Sequence, residues 1–472
     1  MDRKDIFCEI VKCECDKKFI NIKRIIMNSK EVEKDDLFIA IRGGNKFTGE
    51  ALEKGAYVVY DDKDIQIEEK FKEKAFYVND SVEFLQKFAE KWRKNLNLKV
   101  IGITGSNGKT TVKDMIYHLL SVKYKGKKTE GNYNNHIGLP FTLLRAEKGD
   151  DFIILEMGMS GFGEIDLLGK ISSPDISVIT NIGESHLEFL KTKKNVFKAK
   201  TEIIPHTKET LVINGDDEYL KDIDENSLKE KGLKTVKILN MGNDKNHMEN
   251  IKKSVKSNND FYYGDIDFNE VETKFTLEYF DENCKKWTHK FYNTNVLGEH
   301  NILNLTIAVS VAKEMALGDE EIEKAVKDIV LTNMRFQIIT KGKTTYINDA
   351  YNASPMSMKK SLETFSKIYN DREKIAVIGD MLELGEQEGE LHASIFDVII
   401  NTNLNRLYLY GPRMRFLYDR IRENSNSENI KKIETEYFES KEQIKEKLEG
   451  IKEEKVVLIK ASRGMKLEEV ME

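Results

Sequence analysis

Cysteine, proline and tryptophan are scarce in this 472-residue chain, which carries four, five and two of them. The four cysteines, Cys8, Cys13, Cys15 and Cys284, are too few for a disulfide-stapled framework. The spacing Cys8-x4-Cys13-x-Cys15 also fits no zinc pair, so all four read as free thiols. No stretch approaches the roughly 18 apolar residues of a membrane span, and the N-terminal MDRKDIFCEIVKCECDKK lacks the apolar core of a signal peptide. Neither sign of charge dominates. The 75 Lys and Arg face 81 Asp and Glu for a net charge of -6, which gives no basic surface for nucleic acid or membrane. These absences lead to the expectation of a soluble, cytoplasmic protein whose partners are small molecules. The shortage of proline carries no functional information.

What is present is length and apolar periodicity. At about 150 residues per domain the chain is long enough for about three, and 40% hydrophobic residues are enough to fill their cores. The first stretch mixes the runs DDLFIAI and AYVVYDD with a helix marked by Val82, Leu85, Phe88, Ala89 and Trp92, with Asp80 and Glu83 placed for a capping box. After the polar KNLNLK, VIGI runs through GSNGK into a helix with Val112, Met115, Ile116, Leu119 and Leu120 on one face. FIILE and ISVITN are unbroken apolar strands of the kind a parallel sheet buries on both faces. FYYGDIDFNEVETKFTLEYF alternates instead, as exposed antiparallel strands do, and HNILNLTIAVSVAKEMALG comes next as a mostly apolar helix. Beyond LTNMRF, strands at TTYIND, KIAVIGDM, RLYLYG and KVVLIKAS imply a further α/β unit. The expected fold class is therefore α/β in three domains, at residues 1–97, 98–331 and 332–472.

ITGSNGKTT has a phosphate loop's setting but not its usual glycines. The common G-x-x-x-x-G-K-[ST] pattern would place its first glycine where Ile103 stands. Thr104, Gly105, Ser106, Asn107, Gly108, Lys109, Thr110 and Thr111 still lie between a strand and a helix. There, backbone N–H groups and the helix dipole attract phosphate, Lys109 adds a cation, and a threonine hydroxyl can reach Mg2+. Nucleotide binding is the reading this combination favours over a simple glycine turn.

Ligands of an open parallel sheet collect at the carboxyl ends of its strands, which draws attention to Glu156, Thr180, Asn181 and His186. A carboxylate and an imidazole beside a nucleotide suit magnesium. Lys198 and Lys200 read on residue type alone as a solvated helix face, because an ammonium would repel Mg2+. Asn301 and Asn304 share one helix face and either cap it or bond a base. Arg335 and Asp349 stand where a further domain could reach phosphate or ribose.

TGSNGKTT, the Glu156 strand end, TNIGESHLEF, KAKTEI, NGDD and GEHNILN together resemble the Mur ligases, the ATP-dependent amide ligases that build the peptidoglycan stem peptide. NYNNHIGLP, NDAYNASPMSM and GDMLELGEQEGELH, with NSKEVEKDDLFIAIRG near the N-terminus, resemble the branch that joins D-Ala-D-Ala to UDP-MurNAc-tripeptide. The resemblance implies an acyl-phosphate mechanism using ATP and two Mg2+ ions. It implies an N-terminal domain for the UDP substrate, a central ATPase-like domain and a C-terminal Rossmann-like domain, acting as a monomer. Lys109, Glu156, His186 and Lys200 would be catalytic, with Thr110, Glu156, His186 and a carbamate on Lys200 on the metal side. Asn301, Asn304, Arg335 and Asp349 would join the loop in holding ATP. Ser29, Asn134, Asn135 and Asn352 would contact the substrates. His136, Met334, Ala461 and the loop NKFTGEALEKGA depart from the branch's usual pattern. A sibling ligase, a folate polyglutamate synthetase, and a nucleotide-driven switch or transport ATPase are the alternatives.

Overall fold

The computed structural model describes residues 2–11, 21–242, 257–282 and 284–472. Cys8 is buried and Cys284 exposed, both as free thiols, while Cys13 and Cys15 lie outside the described residues. The chain forms two compact units. One comprises Met1–Ile103, Tyr124–Ser177 and Glu202–Glu209; the other comprises Thr104–Lys123, Val178–Thr201 and Thr210–Glu472. No helix among the described residues is long and apolar enough to cross a membrane.

The first unit opens with a four-stranded parallel sheet ordered Ile25–Ile26, Leu37–Ile39, Tyr57–Tyr60 and Ala75–Tyr77. The two apolar runs seen in sequence supply its central strands, and the short edge strands carry too few residues to show a period. In the helix Ser81–Arg93, Leu85, Phe88, Ala89 and Trp92 are buried as expected, but Phe84 takes the inward place assigned to Val82. Asp80 accepts from the N–H groups of Val82 and Glu83. Glu83 turns to Lys87 at 2.6 Å, one turn along the helix. Lys99–Thr104, Phe152–Glu156 and Gly126–Lys128 run parallel, with Ile103 opposite Glu156. Their two longer members are buried almost end to end, which is why each reads as a continuous apolar run.

In the second unit, all five residues of the expected apolar face of helix Lys109–Leu120 are buried. Thr210–Asn214, Lys234–Gly242 and Phe261–Phe268 are parallel neighbours, and the alternating segment then turns antiparallel through Thr273–Asp281 and Lys286–Thr294. The C-terminal sheet is ordered Gln337–Lys341, Thr344–Asn348, Lys455–Lys460, Glu373–Gly379, Arg406–Tyr410 and Glu434–Phe438, parallel apart from the first hairpin. Its central strands alternate between two cores. Ala376, Ile378, Val456 and Leu458 serve one face, and Ile375, Val377, Val457 and Ile459 the other. Both faces are therefore covered, as a doubly wound sheet requires.

Candidate functional site

Residues just beyond the strand Ile176–Ile179 hold the glycine loop in shape. Thr180 N–H donates to the Thr104 carbonyl at 3.0 Å, and Ser106 N–H to the Asn181 carbonyl at 3.0 Å. Asn107 N–H donates to Asn181 Oδ1 at 3.0 Å, while its carbonyl accepts from Thr180 Oγ1 at 2.6 Å and Asn181 Nδ2 at 3.0 Å. Thr180 and Asn181 thus hold the loop open from beneath. Gly105, at φ 148, lies so close to Thr180 that a Cβ there would sit 3.1 Å from the Thr180 backbone nitrogen and closer still to its hydroxyl. This is the close backbone approach that a phosphate-binding turn uses. The loop ends at Gly108, the N-cap of helix Lys109–Leu120, so the helix's first N–H groups open onto it.

Lys109 Nζ folds back to the Gly105 carbonyl at 2.7 Å. Lys200 is the sharpest departure from residue-type reading. It is 1% exposed, whereas Lys198 on the same helix is exposed. Val196, Ala199 and Lys200 form the buried face of helix Lys193–Thr201, and position 200 lies one turn beyond Val196. Solvation was therefore the wrong expectation for Lys200, because helix phase overrides side-chain charge. Burial pushes its pKa well below the ordinary lysine value, and the Lys109 ammonium pushes it further in the same direction.

His186 has the left-handed φ of 55 and caps the short helix Leu187–Leu190. Its Nδ1 lies 2.8 Å from Glu383 Oε2, in contact but off the ring N–H direction. Glu383, from GDMLELGE, was not singled out in the sequence as a site residue. The motif marked the region, but no local pattern links it to His186. Asn107 also reaches the third sheet's helix Pro355–Lys367, where Ser354 Oγ donates to Asn107 Oδ1 at 2.9 Å.

Asn304 packs against the loop, its Oδ1 2.8 Å from the point a Gly108 Cβ would occupy. Its Nδ2 donates to Asn301 Oδ1 at 3.3 Å, and Asn301 Nδ2 donates to the Leu297 carbonyl at 2.9 Å. Arg335 stacks over Tyr351 at 4.1 Å. Asp349 accepts from Phe336 N–H at 3.1 Å, from Ser361 Oγ, and from the buried Lys460 Nζ at 2.7 Å. Asn352 is exposed and gives its carbonyl to Lys460 at 3.2 Å. Ala461, one of the departures, is fully buried, 3.0 Å from where a Gly379 Cβ would stand.

In the first unit, Glu156 is buried at its strand's end, with its N–H on Thr129 Oγ1 at 2.9 Å and its Oε1 accepting from Asn134 Nδ2 at 3.2 Å. Asn134 and Glu156, named separately in sequence, are thus partners. Asn135 Oδ1 caps the helix Gly138–Leu144 by accepting from Ile137 and Gly138 N–H. Ser29 begins a short 3-10 turn capped by Asn28, and its carbonyl accepts from Lys54.

Among the described residues no three His, Cys, Asp or Glu side chains converge as a ready metal cage.

Residues 103–312 match the Mur ligase middle domain, and residues 334–463 the Mur ligase, glutamate ligase domain. The chain is 33% identical over 457 residues to the UDP-N-acetylmuramoyl-tripeptide–D-alanyl-D-alanine ligase of Bacillus subtilis (strain 168), covering 95% of this chain and 92% of that one. A MurF ligase from Thermotoga maritima, solved in complex with ADP, superposes with a TM-score of 0.78 at 29% identity over 96% of this chain and 97% of that one. MurF from Acinetobacter baumannii shares the fold, with a TM-score of 0.81 at 24% identity over 99% and 97% of the two chains. Identity of 33% over nearly the full length of both chains, with the two matching domain models, establishes that the chain belongs to the Mur ligase family.

Proposed function

We propose that the chain joins D-alanyl-D-alanine to UDP-N-acetylmuramoyl-tripeptide, converting ATP to ADP and phosphate, in the cytoplasmic stage of peptidoglycan synthesis. The tripeptide's terminal carboxylate attacks the γ-phosphate and releases ADP; the dipeptide amine then adds to the acyl phosphate, expels phosphate and gives up a proton as the amide forms. A carboxylate oxygen leaves poorly until phosphorylated, so the protein contributes mainly positioning and charge neutralisation. Lys109 and the N–H groups around Gly108 hold the phosphates against the loop. Asn301, Asn304, Arg335 and Asp349 are assigned to the nucleotide, and Ser29, Asn134, Asn135 and Asn352 to the substrates. Residues 1–97 take the UDP end, residues 98–331 ATP, and residues 332–472 complete the ATP and dipeptide sites. The chain is assigned as a monomer.

The observation that carries this reading is the burial of Lys200, 1% exposed, with the Lys109 ammonium near enough to disfavour its charge further. Two ammonium groups close to each other repel unless one is uncharged or converted. A lysine held neutral is the form that adds CO2, giving a carbamate and a proton, and the product is an anion on the metal side. Thr110, Glu156, His186 and carbamylated Lys200 are the residues assigned to two Mg2+ ions. When bound, magnesium would neutralise the phosphates during transfer.

The test is a coupled assay with mass spectrometry of the nucleotide sugar. ADP should form one for one with a UDP-MurNAc-pentapeptide, and only with both substrates present. Substrate-independent turnover with no mass gain would sink the reading. Lys200→Ala should lose ligation and recover part of it with a short-chain carboxylic acid in solution; full activity without rescue would remove Lys200 from the site.

A further inference from the structure

The loop that carries GDMLELGEQEGELH has no part in the chemistry above, yet it is held by a dense set of bonds. Asp380 and His392 are fully buried. Asp380 Oδ1 accepts from Met414 N–H at 3.0 Å, and His392 Nε2 accepts from Met381 N–H at 2.9 Å. Leu382 N–H donates to Ser462 Oγ at 2.9 Å. These bonds fix both sides of a turn whose tip is Glu383, at the left-handed φ of 64. A non-glycine residue in that region is strained and persists where the surroundings impose it.

The tip docks on the segment just after His186. Gly385, at φ 64, would place a Cβ 2.9 Å from Glu188 Cα and 3.1 Å from Glu188 N, so no other residue allows the two backbones so close. Glu383 Oε2 then lies 2.8 Å from His186 Nδ1 although the Glu383 side chain is 56% exposed.

We infer that Glu383 is a positioning residue for His186, engaging Nδ1 so that Nε2 is the nitrogen presented to the cation that accompanies the nucleotide. The inference rests on the proposed metal-side role of His186. Imidazoles that meet a cation are generally oriented by a carboxylate on the other nitrogen, and removing that partner typically costs about 10- to 100-fold in metal affinity. Glu383 meets that description in distance, in charge and in the rigidity of the turn that delivers it. The loop thereby acquires a role, since the third sheet lends a side chain to the phosphate site without touching phosphate.

The test is ADP binding by calorimetry across a Mg2+ titration, on the full chain, for wild type, Glu383→Gln, Glu383→Asp, His186→Ala and the double variant Glu383→Gln/His186→Ala. Glu383→Gln should raise the Mg2+ concentration for half-maximal binding by about 10- to 100-fold while leaving metal-free ADP affinity unchanged, and Glu383→Asp should recover part of the loss. The double variant should be no worse than His186→Ala alone, because both act through one imidazole. Gly385→Ala should reproduce the Glu383→Gln shift by displacing the turn. An unchanged Mg2+ requirement in Glu383→Gln, with His186→Ala raised, overturns the inference alone. An unchanged requirement in His186→Ala overturns the metal-side role of His186, and the inference with it. Equal losses with and without Mg2+ would mark Glu383 as merely structural and overturn it as well.

Discussion

Replacing Gly105 by alanine is the most demanding test of how the loop is held. The added Cβ would sit 3.1 Å from the Thr180 backbone nitrogen and run into Oγ1 of the same residue, with φ at 148. Thr180 has little room to yield. It is fully buried, its N–H is bonded to Thr104, and its hydroxyl is bonded to the Asn107 carbonyl. Either the loop moves or that hydroxyl bond breaks. A disfavoured backbone costs about 1–3 kcal/mol and a lost net hydrogen bond about 1 kcal/mol, so restoring the binding shape should cost about 2–4 kcal/mol. ADP affinity should then fall by about 30- to 1000-fold, at about 1.4 kcal/mol per tenfold. Thr180→Ala keeps a partner for the Asn107 carbonyl through Asn181 Nδ2, and should cost only about tenfold. The two changes share one contact, so the double variant should lose less than the product of the single losses. Calorimetry with ADP on the three variants checks this. A Gly105→Ala protein that binds ADP within about threefold of wild type would refute the claim that Thr180 sets the loop.

Two further outcomes arise from buried charge. His300 sits unprotonated in the fold, its pKa pushed down to about 4 from an ordinary 6.5 by burial, against the pull of Asp349 and Glu363 and with Lys460 and Lys360 opposing its protonation. Between those values the unfolded chain binds a proton that the folded one does not, so stability falls as pH drops from about 6.5 to about 4, by about 3 kcal/mol. Urea unfolding of wild type and His300→Asn across that window should show the steeper pH dependence in wild type; parallel curves would refute it. Asp349→Ala should destabilise the C-terminal sheet by about 3–5 kcal/mol by leaving the Lys460 ammonium, 3% exposed and 2.7 Å from the lost carboxylate, without its counter-charge. Adding Lys460→Met should recover most of that loss in denaturant melts, and an additive double variant would show that the pair is not coupled.

Local periodicity made the helices and inner strands readable. Val112, Met115, Ile116, Leu119 and Leu120 recur with one helical period and are all buried, and the runs at 152–156 and 373–379 are apolar because both faces of each strand are covered. The strands that escaped include edges, and also the buried inner strand Thr210–Asn214. Gln337–Lys341 and Glu434–Phe438, on the outer rows of their sheet, have Phe438 as their one buried residue, so their sequences carry no unbroken apolar run. Phe261–Phe268 and Thr273–Asp281 do pair antiparallel, as the alternation suggested, but both are mostly buried rather than exposed.

The site divides along the same line, but charge rather than exposure is what misleads. Thr104 to Thr111 announce a phosphate loop because the turn, the lysine and the threonines are consecutive. Lys200 defeats residue-type reasoning because its environment is set by Val196 one turn earlier and by Lys109 far away in the chain. Glu383 is harder still: its partner is brought to it by a strained turn, by Asp380 and His392 in the core, and by a glycine at 385 that only the folded contact explains. Each misread residue is one whose ordinary ionic behaviour the fold has altered or used. Residue type gives the charge a side chain carries in water, whereas catalysis of phosphoryl transfer depends on the charge it carries after its neighbours have been assembled. Lys200 and Glu383 are therefore where sequence reasoning should fail in a ligase of this kind, and where substitutions that keep size but remove charge discriminate most sharply between a structural and a chemical role.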